Sequence, residues 1–202
     1  MYHCKPLNII IEEFMKLPGI GIKTAERLAF YLVFQDENFT REFTENLSES
    51  RKAILFCSIC GNLDETDPCS ICQSHDRDRH SICIVETPKD LLAIERSRAY
   101  NGYYHVLKGA LSPTDGMTAD KLNINTLLPR LSEETREIII ATNSNIPGEM
   151  TALFLKRLLE PYSCIVTRIG KGLPFGGDLE FSDQMTIKNA FFNRRSFNDE
   201  PT

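Results

Sequence analysis

The chain has 202 residues, 42% of them hydrophobic and 25% charged, the composition of an ordinary soluble protein with room for one large domain or two small ones. A net charge of −5 excludes a protein that coats nucleic acid through bulk basicity, so any hold on DNA has to come from local geometry. The longest apolar runs, such as IIIATN and LNIII, fall far short of the roughly 20 residues a bilayer span requires.

In chain order, the first elements are helical in period. Leu7, Ile10, Ile11 and Phe14 share one face, LPGIG interrupts, and IKTAERLAFYLVF resumes with Ala25, Leu28, Ala29 and Leu32 at helical spacing. A third helix is expected from about Thr40 to Phe56, carrying Phe43, Leu47, Ile54 and Leu55 among charges. In LPGIGIKTAERL, Gly19 and Gly21 let the backbone turn sharply and present N–H groups at the start of the second helix, where donors and helix dipole favour a phosphate. Lys23 and Arg27, four residues apart, fall on one face and are placed to grip the same strand without reading its bases. The alternative is a glycine turn between packing helices with two solvated charges. With Leu17, Pro18, Lys23, Thr24 and Ala25 around the glycines, the string matches the helix-hairpin-helix DNA-binding motif.

Next comes CSICGNLDETDPCSIC, two CxxC pairs separated by eight residues. Each pair brings two thiolates to one ion from a tight knuckle, and Cys57, Cys60, Cys69 and Cys72 together suit one tetrahedral, structural Zn²⁺. Gly61 stands where a backbone wrapping sulfur around a metal needs glycine's freedom. Disulfides are the competing use of these cysteines, but they need an oxidising compartment. The start MYHCKPLNIIIEEF shows no charged-apolar-small signal pattern, so a reduced cytoplasmic setting is expected. Cys83 and Cys164 lie inside apolar strand-like runs and read as core packing, while Cys4 stands outside the pattern.

After Cys72 the charged passage QSHDRDRHS reads as a linker. Strand and helix then alternate: ICIVE strand, PKDLLAIERSR helix with proline at its start, YYHVL strand, ADKLNINTLLPRL helix, EIIIAT strand, GEMTALFLKRLLE helix, CIVTRI strand and SDQMTIKNAFFNRR helix. That order implies a mostly parallel sheet covered by helices, with function at the carboxyl ends of its strands. Two strand ends carry motif-like strings. Glu86 follows the first, and Asn143, Asn145 and Glu149 follow the third. The pair of strings resembles the Toprim domain of topoisomerases, primases and some nucleases. There a glutamate after one strand, an Asp-x-Asp and a following Glu-Gly-Glu bind Mg²⁺ for phosphoryl transfer. Here Asn143 and Asn145 stand in the places of the aspartates and Pro147 in that of the first glutamate of Glu-Gly-Glu. Three anionic ligands are missing, and a neutral amide oxygen substitutes poorly where a hard cation needs carboxylates.

The whole order, with VETPKDLLAIE, GALSP and GLPFGGDLE, resembles the RecR family of bacterial recombination mediators over nearly the entire chain. The resemblance implies an α+β multidomain fold: a helix-hairpin-helix region (1–56), a four-cysteine zinc finger (57–72), an α/β Toprim domain with a mostly parallel sheet (80–175), and an oligomerising tail with a Walker B-like strand and a helix (176–202). It implies a DNA-binding repair clamp, not an enzyme. Such a clamp acts with RecO and in many bacteria RecF to help RecA replace single-strand binding protein at gaps, with Glu86 and Glu149 serving partner contacts. GGDLEF has no GxxxxGK[ST] loop to accompany it, so ATP hydrolysis is not expected. The runner-up is an active Mg²⁺-dependent Toprim nuclease or topoisomerase-like enzyme, and the bland reading is a zinc-stapled scaffold with protein partners only. A working homo-oligomer, expected as a tetrameric ring in this family, would repeat a single hairpin around DNA. Its adhesive surfaces are expected on the first helix face and at Phe191, Phe192 and Phe197 beside Arg194 and Arg195.

Overall fold

Helix α1 (Lys5–Met15) starts on a proline in its first turn, and α2 (Ile22–Val33) follows the hairpin. Leu7 and Ile11 of α1 and Ala25 and Ala29 of α2 bury one another, with Ile10, Phe14, Ile20 and Phe30 around them. The small alanines let the two helix backbones approach, so Leu7 and Ile11 are spent within their own unit, while Ile10 and Phe14 of the same face stay half-exposed. Helix α3 spans Glu37–Ala53, three residues earlier at both ends than its periodicity suggested. Asp36 sets the start by accepting from the Phe39 N–H at 2.8 Å. Residues Leu55–Phe56, read as the helix end, instead form strand β1, paired antiparallel with β2 (Leu63–Asp64). None of the residues of α3 is buried, and Phe39, Phe43 and Leu47 lie exposed along it.

The computed structural model describes residues 2–194 and residue 196, and the chain divides between Ile54 and Leu55 into two compact units. In the second, α4 (Ser70–Gln73) closes the four-cysteine module. Strand β3 (Asp78–Val85) begins inside the passage read as a linker. That passage is pinned: the Arg77 guanidinium pairs with Glu95 at 2.5 Å and donates to the Gly102 carbonyl at 3.0 Å.

Helix α5 (Pro88–Ser97), strands β4 (Gly102–Val106) and β5 (Glu137–Ala141), helix α6 (Ile146–Leu159) and strand β6 (Ile165–Arg168) complete a four-stranded sheet in the order β4-β3-β5-β6. All three pairings are parallel, with Cys83 beside both Tyr104 and Ile139. Thr87 and Asp90 form a reciprocal capping box at the start of α5. On one face of the sheet Ile82, Ile84, Ile138 and Ile140 pack on Leu155 and Leu159 of α6. On the other, Cys83, Val85, Tyr104 and Val106 pack with Leu91 of α5. Cys83 is therefore core, as its run suggested, while Cys164 is only partly buried.

Two expected elements differ. ADKLNINTLLPRL is not a helix but two short 3₁₀ turns, Ala119–Lys121 and Leu128–Arg130, although Leu122, Ile124 and Leu127 are buried in the core. Asn123 spends its amide on the Val106 carbonyl (3.0 Å) and its own carbonyl on buried His105 (2.5 Å), competing with helical bonds, and Pro129 lacks an N–H. The Walker B-like strand is also absent: Leu179–Phe181 is a 3₁₀ turn after Gly176 at φ +79°, with no neighbouring strand to pair with among the described residues. Helix α7 (Gln184–Phe192) follows, capped by Asp183, whose side chain accepts from the Met185 and Thr186 N–H groups. Phe191 and Phe192 are exposed, whereas Arg195 and Phe197 lie outside the described residues. Among the described residues no helix is long and apolar enough to cross a membrane.

Candidate zinc and nucleic-acid sites

The four cysteine sulfurs lie within 4.8 Å of one another, and no other group of metal-ligating side chains gathers so among the described residues. Cys57 and Cys72 are 3.9 Å apart and Cys60 and Cys69 3.5 Å, against an edge of about 3.8 Å for a tetrahedron with Zn–S bonds of about 2.3 Å. The Asn62 N–H points at the Cys60 sulfur (3.5 Å) and that of Cys69 at the Cys57 sulfur (3.4 Å), which favours thiolates. A hydrogen bond with Cys69 first, together with burial, pushes the Cys60 thiol up to about 12, and Cys72 is raised with its bond to Cys60 as the first cause, while the bond from Cys60 first holds Cys69 low as the one favoured thiolate. Four charges do not develop there unless a cation absorbs them, so the residues fit zinc. All seven cysteines are free, which leaves no disulfide in the module.

Two carboxylates brace the knuckles. Asp67 accepts from the Ser58 N–H and hydroxyl, and Asp64 from those of Ser70, the latter contacts holding the Asp64 carboxyl below its ordinary value. Gly61, at φ +78°, turns the chain under β4. A Cβ there would sit 2.8 Å from the Asn123 amide nitrogen and 3.0 Å from the Val106 carbonyl. The Val106 N–H in turn donates to the Cys60 carbonyl at 2.7 Å. The zinc module is thus seated on the sheet edge by backbone contact.

In the first unit, Gly19 takes φ +78°, the left-handed conformation the turn needs. Gly21 is extended and precedes α2 with no side chain capping the helix, and a Cβ on it would meet nothing of this chain within 4 Å. Lys23 and Arg27 are both exposed one turn apart on α2, and neither forms an ion pair among the described residues. A lysine in the first turn opposes the helix dipole, at a cost of about 0.3–1 kcal/mol that a bound anion would reverse.

The strand ends of the second unit bring Glu86, Asn143, Asn145 and Glu149 together, and each is already engaged. Glu86, only 6% exposed, accepts from the Asn143 N–H at 2.8 Å and the Asn143 side-chain amide at 2.7 Å. Asn145 caps α6 by accepting from the Gly148 N–H at 2.8 Å. Glu149 receives Arg168 through both guanidinium arms, at 2.6 and 3.1 Å, and also pairs with Lys171. Gly148 is locked between them, since a Cβ there would fall 2.1 Å from the Asn143 carbonyl oxygen. Arg168 and Lys171 are the residues that sequence reasoning missed. Their only signal was a pair of cations at and just beyond the end of the last strand, 19 and 22 residues beyond Glu149.

A helix-hairpin-helix unit, a Cys4 zinc module and a parallel Toprim-type sheet whose acidic positions are internally paired define a class, the zinc-stapled Toprim proteins of nucleic-acid transactions. Family models match the chain successively as RecR, helix-hairpin-helix (residues 7–51), RecR, Cys4-zinc finger domain (54–74), Toprim domain (80–170) and RecR, C-terminal (172–195). The recombination protein RecR of Lactococcus lactis subsp. lactis (strain IL1403) is 48% identical over 195 residues, covering 96% of this chain and 98% of that protein. Its counterpart in subsp. cremoris (strain MG1363) is 47% identical over the same length. The chain belongs to the RecR family of recombination proteins, and its four cysteines form that family's zinc finger.

Proposed function

We propose that this protein is a non-enzymatic, DNA-binding factor of recombinational repair. In this reading it is a clamp that works in the cytoplasm at the nucleoid, with RecO and RecF as partners, to load RecA at gapped DNA. The observation that carries the DNA contact is the uncapped start of α2. Free N–H groups, Gly21 with open space beside it, and the exposed Lys23 and Arg27 converge there without an acceptor or counter-charge among the described residues. Backbone donors and two cations bind phosphates of any sequence.

The non-enzymatic reading rests on the strand-end cluster. A Mg²⁺ ion needs carboxylates free to ligate, whereas Glu86 is consumed by Asn143, and Glu149 by Arg168 and Lys171. Glu149, half-buried at the rim, is the more accessible of the two for a protein partner, with Glu86 supporting the loop behind it. Homo-oligomerisation, as a tetramer, is supported by apolar surface each unit leaves uncovered. Phe34, Phe39 and Phe43 are exposed in the first unit, and Phe175, Phe181, Phe191 and Phe192 in the second.

Gel shift on gapped DNA, with and without Mg²⁺ and scored for binding and cleavage, tests the reading. Binding without cleavage is expected, and Lys23→Gln with Arg27→Gln should weaken it alike on unrelated sequences. The salt slope should fall by about 0.9 for each duplex phosphate that the variant no longer neutralises. Unchanged affinity in the folded double variant would return the hairpin to a packing turn, and Mg²⁺-dependent nicking abolished by Glu86→Gln would establish the nuclease instead.

A further inference from the structure

A cleft opens between the exit of the zinc module and the sheet edge. One cavity, of about 550 Å³, is lined by Cys72, His75, Arg79 and Tyr103 among others. A second, of about 170 Å³, shares Cys72, Arg79 and Tyr103 and adds Arg130 and the apolar side chains of Ile59 and Ile82. Tyr103 stands on β4, the edge strand, and its hydroxyl donates to the Ser74 carbonyl at 2.7 Å, which holds the ring in the cleft wall. Arg130 is half-buried and fixed by donating to the Tyr104 carbonyl at 2.8 Å and to the His105 Nδ1 at 3.3 Å. Arg79 is exposed, with Nη2 2.7 Å from the His75 Nδ1.

Neither guanidinium has a carboxylate within ion-pair distance among the described residues; the same holds for Arg96, Arg98, Arg136 and Arg157, but only Arg79 and Arg130 line this cavity. In a chain with five more acidic than basic side chains, two unpaired guanidiniums converging on one cavity are conspicuous. A half-buried cation without a counter-charge is costly, and an anionic ligand relieves that cost. Guanidinium forks match phosphate oxygens, and an aromatic ring flanked by apolar side chains matches the face of a base.

We propose that this cleft is a second nucleic-acid contact, in which Arg79 and Arg130 hold a phosphodiester of single-stranded DNA and Tyr103 stacks on a neighbouring base. It rests on the DNA-binding reading above but not on the hairpin residues that carry that reading. Cys72, one of the four zinc-site cysteines, lines the same wall, and its thiolate is the other candidate for balancing the cations. The module's sulfurs accept from the Asn62 and Cys69 N–H groups, and no contact joins Arg79 to a sulfur among the described residues.

The test is fluorescence anisotropy of a labelled oligothymidylate on the zinc-loaded full chain. Arg79→Gln and Tyr103→Leu are compared with Tyr103→Phe and with Lys156→Gln, the latter removing an exposed cation on α6. The same changes are repeated in a Lys23→Gln/Arg27→Gln background, with zinc content measured throughout. Arg79→Gln is expected to lower the salt slope by about 0.7 and Tyr103→Leu to weaken binding about fivefold or more. Tyr103→Phe, which keeps the ring but loses its bond to the Ser74 carbonyl, should weaken binding less than Tyr103→Leu, Lys156→Gln should match the parent, and zinc content should not change.

Arg79→Gln indistinguishable from Lys156→Gln overturns the cleft and leaves the hairpin reading intact if Lys23→Gln/Arg27→Gln still weakens binding. The reverse pattern overturns the hairpin and keeps the cleft. No binding by the parent overturns both. Faster zinc loss in Arg79→Gln with unaltered DNA affinity would assign the cation to the thiolates, and equal competition by polyglutamate of matched charge would assign the cleft to acidic peptides. Either result overturns the proposal.

Discussion

Replacing Glu86 with alanine separates a carboxylate that holds the backbone from one that waits for a metal. The side chain accepts two hydrogen bonds from Asn143, from the main-chain N–H at 2.8 Å and from the side-chain amide at 2.7 Å. Bonds to a charged acceptor contribute about 1.5 kcal/mol each at the lower end, about 3 kcal/mol together. Asn143 is exposed, so water recovers about 1 kcal/mol of this on truncation, leaving a net cost of about 2 kcal/mol. Urea unfolding reads that as a midpoint lower by about 1 M if the slope is about 2 kcal/mol/M. Glu86→Gln should cost about half as much, because the Asn143 amide can turn over and accept from the new side-chain NH₂.

Magnesium should leave all three proteins unmoved. A true ligand site held at about 100 times its Kd would add about 2.7 kcal/mol to the parent. The reasoning fails if Glu86→Ala unfolds at the parental midpoint, or if Mg²⁺ stabilises the parent by such an amount and Glu86→Gln abolishes the effect.

The zinc site supports a second prediction: Gly61→Ala forces a Cβ against Asn123 and Val106 at a positive φ. Strain and overpacking together should cost about 2–4 kcal/mol and speed metal release to a chromophoric chelator, with complete removal forfeiting about 10–16 kcal/mol of apparent binding energy and unfolding the module. Parental release kinetics in that variant would show that the module is not seated on β4 as described. For pH, bonds from Arg77 first, and from Tyr104, hold the Glu95 carboxyl below its ordinary 4.5. A depressed carboxylate stabilises the fold above that value and ceases to do so as pH falls through its lower folded value. Glu95→Gln should therefore be less stable than the parent at neutral pH, with the gap closing as the pH falls below the ordinary 4.5 and through the lower folded value. A gap that stays constant in urea titrations across that range would refute the pairing. Light scattering should give a mass above one chain that falls when the chain is ended at Ser182, and a strictly monomeric parent, with or without DNA, would remove the clamp.

What was most legible before any coordinates depends on close neighbours in the chain. Two CxxC pairs carry their own geometry, because a knuckle of four residues already places two sulfurs on one ion, and the sulfurs do converge. Pro88 announces the start of α5, because a proline is tolerated in a helix's first turn. Gly19 and Gly21 between two helical runs announce a sharp turn, in which Gly19 takes the left-handed conformation. Apolar runs announced the strands, since burial on both faces of a parallel sheet demands them. The same apolarity misled at Leu122, Ile124 and Leu127, which are buried in irregular chain because Asn123 bonds to β4 instead of to a helix turn of its own. Only the tertiary structure decided what the acidic cluster is. Glu86 and Asn143 are 57 residues apart and meet because β3 lies beside β5, and Arg168 reaches Glu149 because β6 follows β5 in the sheet. Strand order sets which charges neutralise each other at a sheet's carboxyl end. It is settled by long-range packing, which no spacing along the chain records.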